Sequence, residues 1–310
     1  MAAADPGQAT APLAAATTAT AADAPRTPMP RGRSRMDPVI LVIAYVVLTL
    51  VALLMFVPFA YAVATSFKAP PEALSLSFRN MFWPDEPTIR AYKVARESNV
   101  VRWFFNSVLV ALIWIIGRVI TCTMAGYAFA RIKFPGRNIL FLIVISTLMI
   151  PSIVTIIPKF IILQNLGLLN SYGALTVPFL TDAFGIFLMK QFFESFPNEI
   201  EEAARVDGAN RWRIFSQVVV PNAVPSITAL TIFTFQGSWN AFLEPLIFIS
   251  GSRTDLFTLP LGLAMFQQTY YTDQPTLMAI SVITTVPVAI FFVIFQRYFI
   301  QGQTSAAVKG

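Results

Sequence analysis

The sequence predicts an all-α membrane protein crossing the bilayer six times. Three observations carry that expectation. Of its 310 residues, 56% are hydrophobic and only 12% are charged, where an ordinary soluble domain carries about 25% charge. The apolar residues form several uninterrupted runs, some long enough to meet the roughly 20 residues a spanning helix needs. Lysine and arginine collect where these runs end, the pattern that orients a membrane chain. The formal charge of +6 is therefore read as orientation rather than as a nucleic-acid footprint.

Residues 1–35 are rich in Ala, Thr and Pro and lack the apolar content needed for a core, so a disordered cytoplasmic tail is expected. Arg26, Arg31, Arg33 and Arg35 stand just before the first apolar run, too late for a signal peptide and well placed to keep the N-terminus inside. The membrane-spanning body is expected over residues 36–300. Its first span covers about 39–66, without a charge. Residues 67–100 are too polar to span and are expected outside.

The second span covers about 101–130 and contains Arg118, and the basic loop Arg131–Arg137 returns the chain inside. The third runs from about 139 to 163. Asn165, Gly167, Asn170 and Gly173 mark an outer turn, and the fourth span ends near Phe193. A polar stretch of about 194–221 follows on the inside. The fifth span is expected over about 224–250, an outer loop over 251–274, and the sixth ends near Tyr298. A short cytoplasmic tail of 301–310 then puts both termini inside. Pro151, Pro158, Pro178, Pro225, Pro245 and Pro287 fall within or beside these runs and are read either as packing kinks or as bends used in gating.

Whole classes of chemistry are disfavoured. The chain has no histidine and one cysteine, Cys122, which removes the commonest general base and metal ligand and any internal disulfide. No GxxxxGK[ST] phosphate loop occurs, so ATP, if used, is bound by another chain. No metal site and no catalytic residue is expected.

Residues 194–221 read as two short helices joined by a turn. Glu199, Glu201 and Glu202 suit the positive end of the first helix, and Ile200, Ala203 and Ala204 make an apolar stripe for close inward packing. Gly208 suits a left-handed residue that ends the helix. Asn210 caps a second helix whose Trp212, Phe215 and Val219 share a side, and Pro221 closes it. An ordinary interfacial hairpin has the same pattern.

Glu202-Ala203-Ala204, then Gly208, then Val218-Val219-Val220-Pro221 resembles the EAA loop of bacterial and archaeal ABC-importer permeases, E-A-A-x3-G-x9-I-x-L-P, with valines at the Ile and Leu positions. Asp207 and Ala209 match the D-G-A variant of the sugar permeases. Ala91-Tyr92-Lys93 with Trp103-Phe104-Phe105-Asn106-Ser107, Ala125–Arg131, Trp239-Asn240-Ala241-Phe242 and the C-terminus from Gln296-Arg297-Tyr298-Phe299 through Ala307-Val308-Lys309-Gly310 are similar to further MalG-like motifs. Ala91 and Ala306 depart from the usual Asn and Gly. Together they cover the chain from about residue 40 onward.

The resemblance implies the type I ABC importer permease fold in a bacterial or archaeal plasma membrane. It implies a second, MalF-like permease, two copies of an ATP-binding subunit and an extracellular solute-binding protein, with the bilayer around them and no nucleic acid. Cofactors are not bound by this chain; ATP and Mg belong to the partner ATPase. Glu202, Ala203, Ala204, Asp207, Gly208, Ala209 and Pro221 form the ATPase-coupling loop by this resemblance. The solute class is di- or oligosaccharide, with glycerol-3-phosphate or a related solute as the alternative.

Four polar residues near the spans are candidate solute contacts. Asp182 is either a pore residue for sugar hydroxyls or a structural partner of Arg118. Trp239, Asn240 and Glu244 combine an aromatic face with hydrogen-bonding groups, but Asn also joins helices and Trp also sits at membrane interfaces. Asp182 and Glu244 suit proton carriers in an ion-coupled transporter, which has no need of an EAA loop.

Overall fold

The computed structural model describes residues 38–74, 81–269 and 273–307. The expected disordered tail of 1–35 and the last three residues of the chain lie outside them. Among the described residues there are helices and no strand. The chain divides into two compact units, Met1–Leu54 and Met55–Gly310. In the first, residues 38–54 are one helical arm whose side chains are almost all exposed. The rest of the fold belongs to the second.

Helix α1 (Pro38–Ser66) has apolar side chains all round, as a lipid-facing span requires. A short α2 (Arg90–Glu97) precedes the long α3 (Val100–Arg131). Then come α4 (Arg137–Ser146), α5 (Ser152–Asn165), α6 (Tyr172–Thr176), α7 (Ala183–Ser195) and α8 (Asn198–Val206). The chain continues through α9 (Arg211–Arg213), a π-helical turn (Ile214–Val219), α10 (Val220–Asn222), α11 (Val224–Trp239) and α12 (Leu243–Phe248). Helices α13 (Leu259–Thr269) and α14 (Gln274–Ala307) complete it.

Four spans by length and apolarity are α1, α3, the segment Tyr172–Ser195 and α14. Two bent pairs bring the number to six when each counts as one span: Arg137–Met149 with Ser152–Asn165, bent by 106°, and Arg211–Asn222 with Val224–Trp239, bent by 74°. The third expected span is thus broken in its middle. Pro151 has extended ψ and stands just before α5. It has no N–H to continue a helix, and it forces Ile150 out of helical geometry. The fifth span is shorter than expected, because α11 ends at Trp239 and the chain restarts at Leu243. The expected outer loop contains α13, and the last helix runs on through Ala307, beyond the expected end near Tyr298.

Helices in lipid gain little from apolar burial against one another, so close backbone approach matters most. Helix α3 is the axis of that packing, with α7 and α11 laid against it. A Cβ on Gly126 of α3 would stand 2.6 Å from Met189 Cβ, and one on Gly185 of α7 would stand 2.8 Å from Cys122 Sγ. Two buried clusters are strung along α3. Trp103, Val110, Trp114, Phe179, Trp239, Phe257 and Leu259 gather at its N-terminal part. Tyr127, Met189, Phe193, Phe215 and Leu230 gather at its C-terminal part.

Candidate functional site

The polar segment after α7 folds as a helical hairpin. Pro197 is the residue before α8, and Glu199 and Glu201 lie in its first turn, where the helix dipole favours negative charge. Gly208 ends it with φ +83°, and nothing lies within 4 Å of where its Cβ would be. The Asn210 side chain accepts a hydrogen bond from the Arg213 backbone N–H at 2.8 Å, the expected cap of the second helix. That helix widens into a π-helical turn at Ile214–Val219. Pro221 sits inside α10, and the bend comes two residues later, at Ala223.

The faces of α8 differ from the expected stripe. Ala204 and Ala209 are half-buried, but Ala203 is exposed and Ile200 is 42% exposed. Glu202, Asp207 and Gly208 are exposed as well. Val206 is 88% exposed and Trp212 is 64% exposed. With Arg205, Arg211 and Arg213 also exposed, the hairpin presents an outer surface that is partly apolar and carries both signs of charge.

Glu201 points inward instead, at 6% exposure. Its carboxylate is 3.0 Å from the Arg131 guanidinium and accepts a hydrogen bond from the Tyr127 hydroxyl at 3.2 Å. Arg131 also donates to the Phe196 carbonyl and to the Asn198 side chain. One buried cation thus holds the start of α8 and its inward acid. The register explains the difference from expectation: Glu201 and Ala204 are i, i+3 on the face turned toward α3, which leaves Ile200 and Ala203 outside. Sequence reasoning assigned Glu201 to the helix dipole and missed this role. The signal available was Arg131, a cation closing an apolar span beside an acidic helix. Beside the cluster lies an apolar cleft of about 360 Å³, lined by Met124, Tyr127, Ala128, Ile132, Arg211, Trp212 and Phe215.

The other candidates do not come together. Asp182 caps α7, accepting from the Gly185 N–H at 3.1 Å, and lies 3.7 Å from Arg118. Arg118 also donates to the Phe179 carbonyl at 3.0 Å and stands over the Trp114 ring. Of the two readings of Asp182, this geometry matches the structural partner. Trp239 is 1% exposed, donates to the Thr284 carbonyl at 3.1 Å and packs against Phe104 and Phe235. Asn240 is exposed and donates to the Gln236 carbonyl at 2.9 Å. Glu244 is half-buried in the first turn of α12. A buried Trp239 supports packing of α11 rather than an open ring face. Among the described residues no cluster suited to a metal ion occurs.

A second set of polar residues gains a clear role. At the N-terminal end of α3, Asn106 donates to the Asp255 and Phe257 carbonyls, both at 2.9 Å, and accepts from Tyr172 at 2.7 Å. Ser107 accepts from the Leu259 N–H at 2.7 Å, and Trp103 donates to the Thr254 carbonyl at 2.8 Å. These residues tie the 254–259 segment to α3.

Comparison with known proteins follows this geometry. The family described as the binding-protein-dependent transport system inner membrane component matches residues 122–304. The arabinooligosaccharides transport system permease AraQ of Halalkalibacterium halodurans is 34% identical, over 84% of this chain and 93% of that protein. The diacetylchitobiose uptake system permease NgcG of Streptomyces coelicolor is 35% identical, over 82% of this chain and 84% of its own length. In fold, the chain is similar to a solved bacterial ABC transporter involved in the import of the acidic polysaccharide alginate. The TM-score is 0.75 at 24% identity, covering 86% of this chain and 99% of that one.

Proposed function

The chain belongs to the family of inner membrane components of binding-protein-dependent transport systems, and from that premise we propose that it is one half of the pore of an oligosaccharide importer, driven through the 198–222 hairpin. It is a permease subunit of an ABC importer and not an enzyme; the family works with an ATPase and a solute-binding protein. The finer assembly is our reading: a MalF-like second permease, two ATPase copies carrying ATP and Mg, and both termini of this chain in the cytoplasm.

One observation carries the coupling role. The hairpin exposes Glu202, Ala203, Gly208, Val206 and Trp212 together, while Glu201 behind them is fastened to α3. A surface that is apolar and charged with both signs outside, and held from inside, suits a protein partner that must push. In this reading, closure of the ATPase dimer on ATP moves the hairpin and turns the pore outward to receive solute. Membership in this family removes the case for an ion-coupled transporter. The sugar class is supported by the oligosaccharide permeases AraQ and NgcG. A phosphate solute calls for spare cations within the spans; of the two mid-span cations, Arg118 is committed to Asp182 and the Phe179 carbonyl, whereas Lys159 stands over the Phe179 ring, so glycerol phosphates belong in the test panel.

The test is ATP hydrolysis by the co-expressed complex in lipid, with the binding protein loaded from a panel of oligosaccharides and glycerol phosphates. Wild type is run beside Gly208→Val. At φ +83° a β-branched residue is strained by roughly 1–2 kcal/mol, and nothing within this chain crowds its side chain; ATPase binding is scored on the same preparations, because Gly208 lies on the proposed docking face. One oligosaccharide should stimulate hydrolysis and uptake in wild type, and the variant should lose that stimulation. Stimulation by a glycerol phosphate alone would overturn the sugar class. Indifference of uptake to Gly208→Val would overturn the coupling role.

A further inference from the structure

Behind the exposed face of the hairpin lies a fastening that the coupling role by itself does not specify. Arg131, at the last position of α3, meets four groups at the start of the hairpin and one turn back on its own helix. They are the Glu201 carboxylate, the Phe196 carbonyl, the Asn198 side chain and, through Glu201, the Tyr127 hydroxyl. The charged side chains are 13% and 8% exposed. Separating such a pair leaves an uncompensated buried charge, so the joint resists stretching far more than a surface ion pair does.

The hairpin's other end is built differently. It reaches α11 through the π-helical turn of Ile214–Val219 and the 74° bend at Ala223. Ile214, Phe215, Val219 and Ala223 of that stretch are buried in the cluster around Tyr127. This end of the hairpin therefore meets α3 through apolar packing, and the Arg131–Glu201 joint adds a charged, directional contact at the other.

We propose that the Arg131–Glu201–Tyr127 cluster is the strut that carries hairpin movement into α3, with Arg131 and Glu201 as positioning residues for coupling. This rests on the hairpin being the ATPase contact. It adds that α3, which follows the hairpin neither in sequence nor through a loop, is the span that moves with it. Tyr127 donates to the second Glu201 oxygen, so the carboxylate meets the Arg131 charge on one side and a hydroxyl donor on the other.

The experiment uses the full complex in lipid nanodiscs with spin labels on cysteines at Ile120 and Ile294, exposed positions on α3 and α14, Ile120 lying in the half of α3 that carries Arg131. Native Cys122 is buried and stays unlabelled. The label distance is measured by electron resonance with no nucleotide and with MgATP trapped by orthovanadate. Binding of the ATPase subunit is scored separately on the same preparations.

Trapping should shift the wild-type distance. Arg131→Glu and Glu201→Arg should each shrink that shift by at least about half, since site-to-site couplings of ordinary size are lost with the joint. The double variant R131E/E201R should recover part of it by restoring opposite charges across the same gap. Should a reversal prevent assembly, Glu201→Gln and Arg131→Lys decide by the same readout. A shift that stays at the wild-type value in charge variants that still bind the ATPase overturns the strut, as does a wild-type complex that binds the ATPase but shows no shift. A merely structural clamp would lower complex yield while leaving the shift intact, and that result also counts against the proposal. Failure of the wild-type chain to bind an ATPase at all would instead remove the coupling role on which the strut rests.

Discussion

The two ends of α3 are held by opposite kinds of chemistry. At its N-terminal end, Trp103, Asn106 and Ser107 bond mostly to backbone groups of the 254–259 segment, all neutral and all between 2.7 and 2.9 Å. At its C-terminal end, Arg131 and Tyr127 meet a carboxylate, an amide side chain and one carbonyl. Bonds from side chain to backbone fix one geometry, because the backbone acceptor has no rotamers to change. Side-chain pairs keep their attraction while both partners turn together. The comparison suggests a pivot at one end and a driven lever at the other.

The largest expected effect tests the pivot. Asn106→Leu keeps the volume but leaves the Asp255 and Phe257 carbonyls and the Tyr172 hydroxyl without their partner. Unsatisfied buried groups cost about 1–3 kcal/mol each, so the folded yield and the thermal midpoint of the purified complex should fall sharply. Ser107→Ala removes a single bond, to the Leu259 N–H, and should cost visibly less. An Asn106 variant as stable as wild type would break the comparison, because the N-terminal end would then be held by apolar packing alone.

A middle-sized effect tests whether the ends communicate through α3 itself. Gly126 lies between them, and a Cβ there would come within 2.6 Å of Met189 Cβ and 2.9 Å of the Lys190 backbone nitrogen. Gly126→Val must push α3 from α7, at about 1–3 kcal/mol for overpacking. Gly237 on α11 has nothing within 4 Å of its missing Cβ. Gly237→Ala should therefore be neutral or gain a few tenths up to about 1 kcal/mol from helix propensity. Thermal midpoints of the two variants should move in opposite directions, or at least differ clearly; equal losses would mean that the α3–α7 approach is not tight in the membrane.

These contrasts also mark what the sequence made legible. Uninterrupted apolar runs announced the spans, and Gly208 and Asn210 announced the turn and cap of the hairpin, because each is a local requirement of backbone geometry. The breaks at Pro151 and after Trp239 were less visible, since a proline or an Asn in an apolar run is compatible with a kinked helix as well as with a broken one. The inward turn of Glu201 was hidden for a different reason. Three glutamates near the start of one helix look alike to a helix dipole, and only the position of Arg131 across space selects which of them is buried. Asp182 was read as either a pore residue or a partner of Arg118, and its 3.7 Å distance to Arg118 depends on where α7 begins, which no periodicity reports.

The smallest effect probes whether charge contributes at the N-terminal end after all. Asp255 is half-exposed, with its carboxylate 3.0 Å from Arg253 and 3.5 Å from Arg102 of α3. The hydrogen bond from Arg253, ahead of the nearby positive charge, holds the carboxyl below its ordinary value. A depressed folded-state value means that the contribution is present above the ordinary carboxylate range and is lost as the pH falls through the folded-state value. The Asp255→Asn variant should thus melt slightly below wild type at neutral pH, and the gap should close in acid. Solvent and salt screen this pair, so the gap should also narrow as ionic strength rises at neutral pH. A gap as large as that of Asn106→Leu, or one indifferent to both pH and salt, would mean that the N-terminal end is also held by charge, and the contrast between pivot and lever would no longer stand.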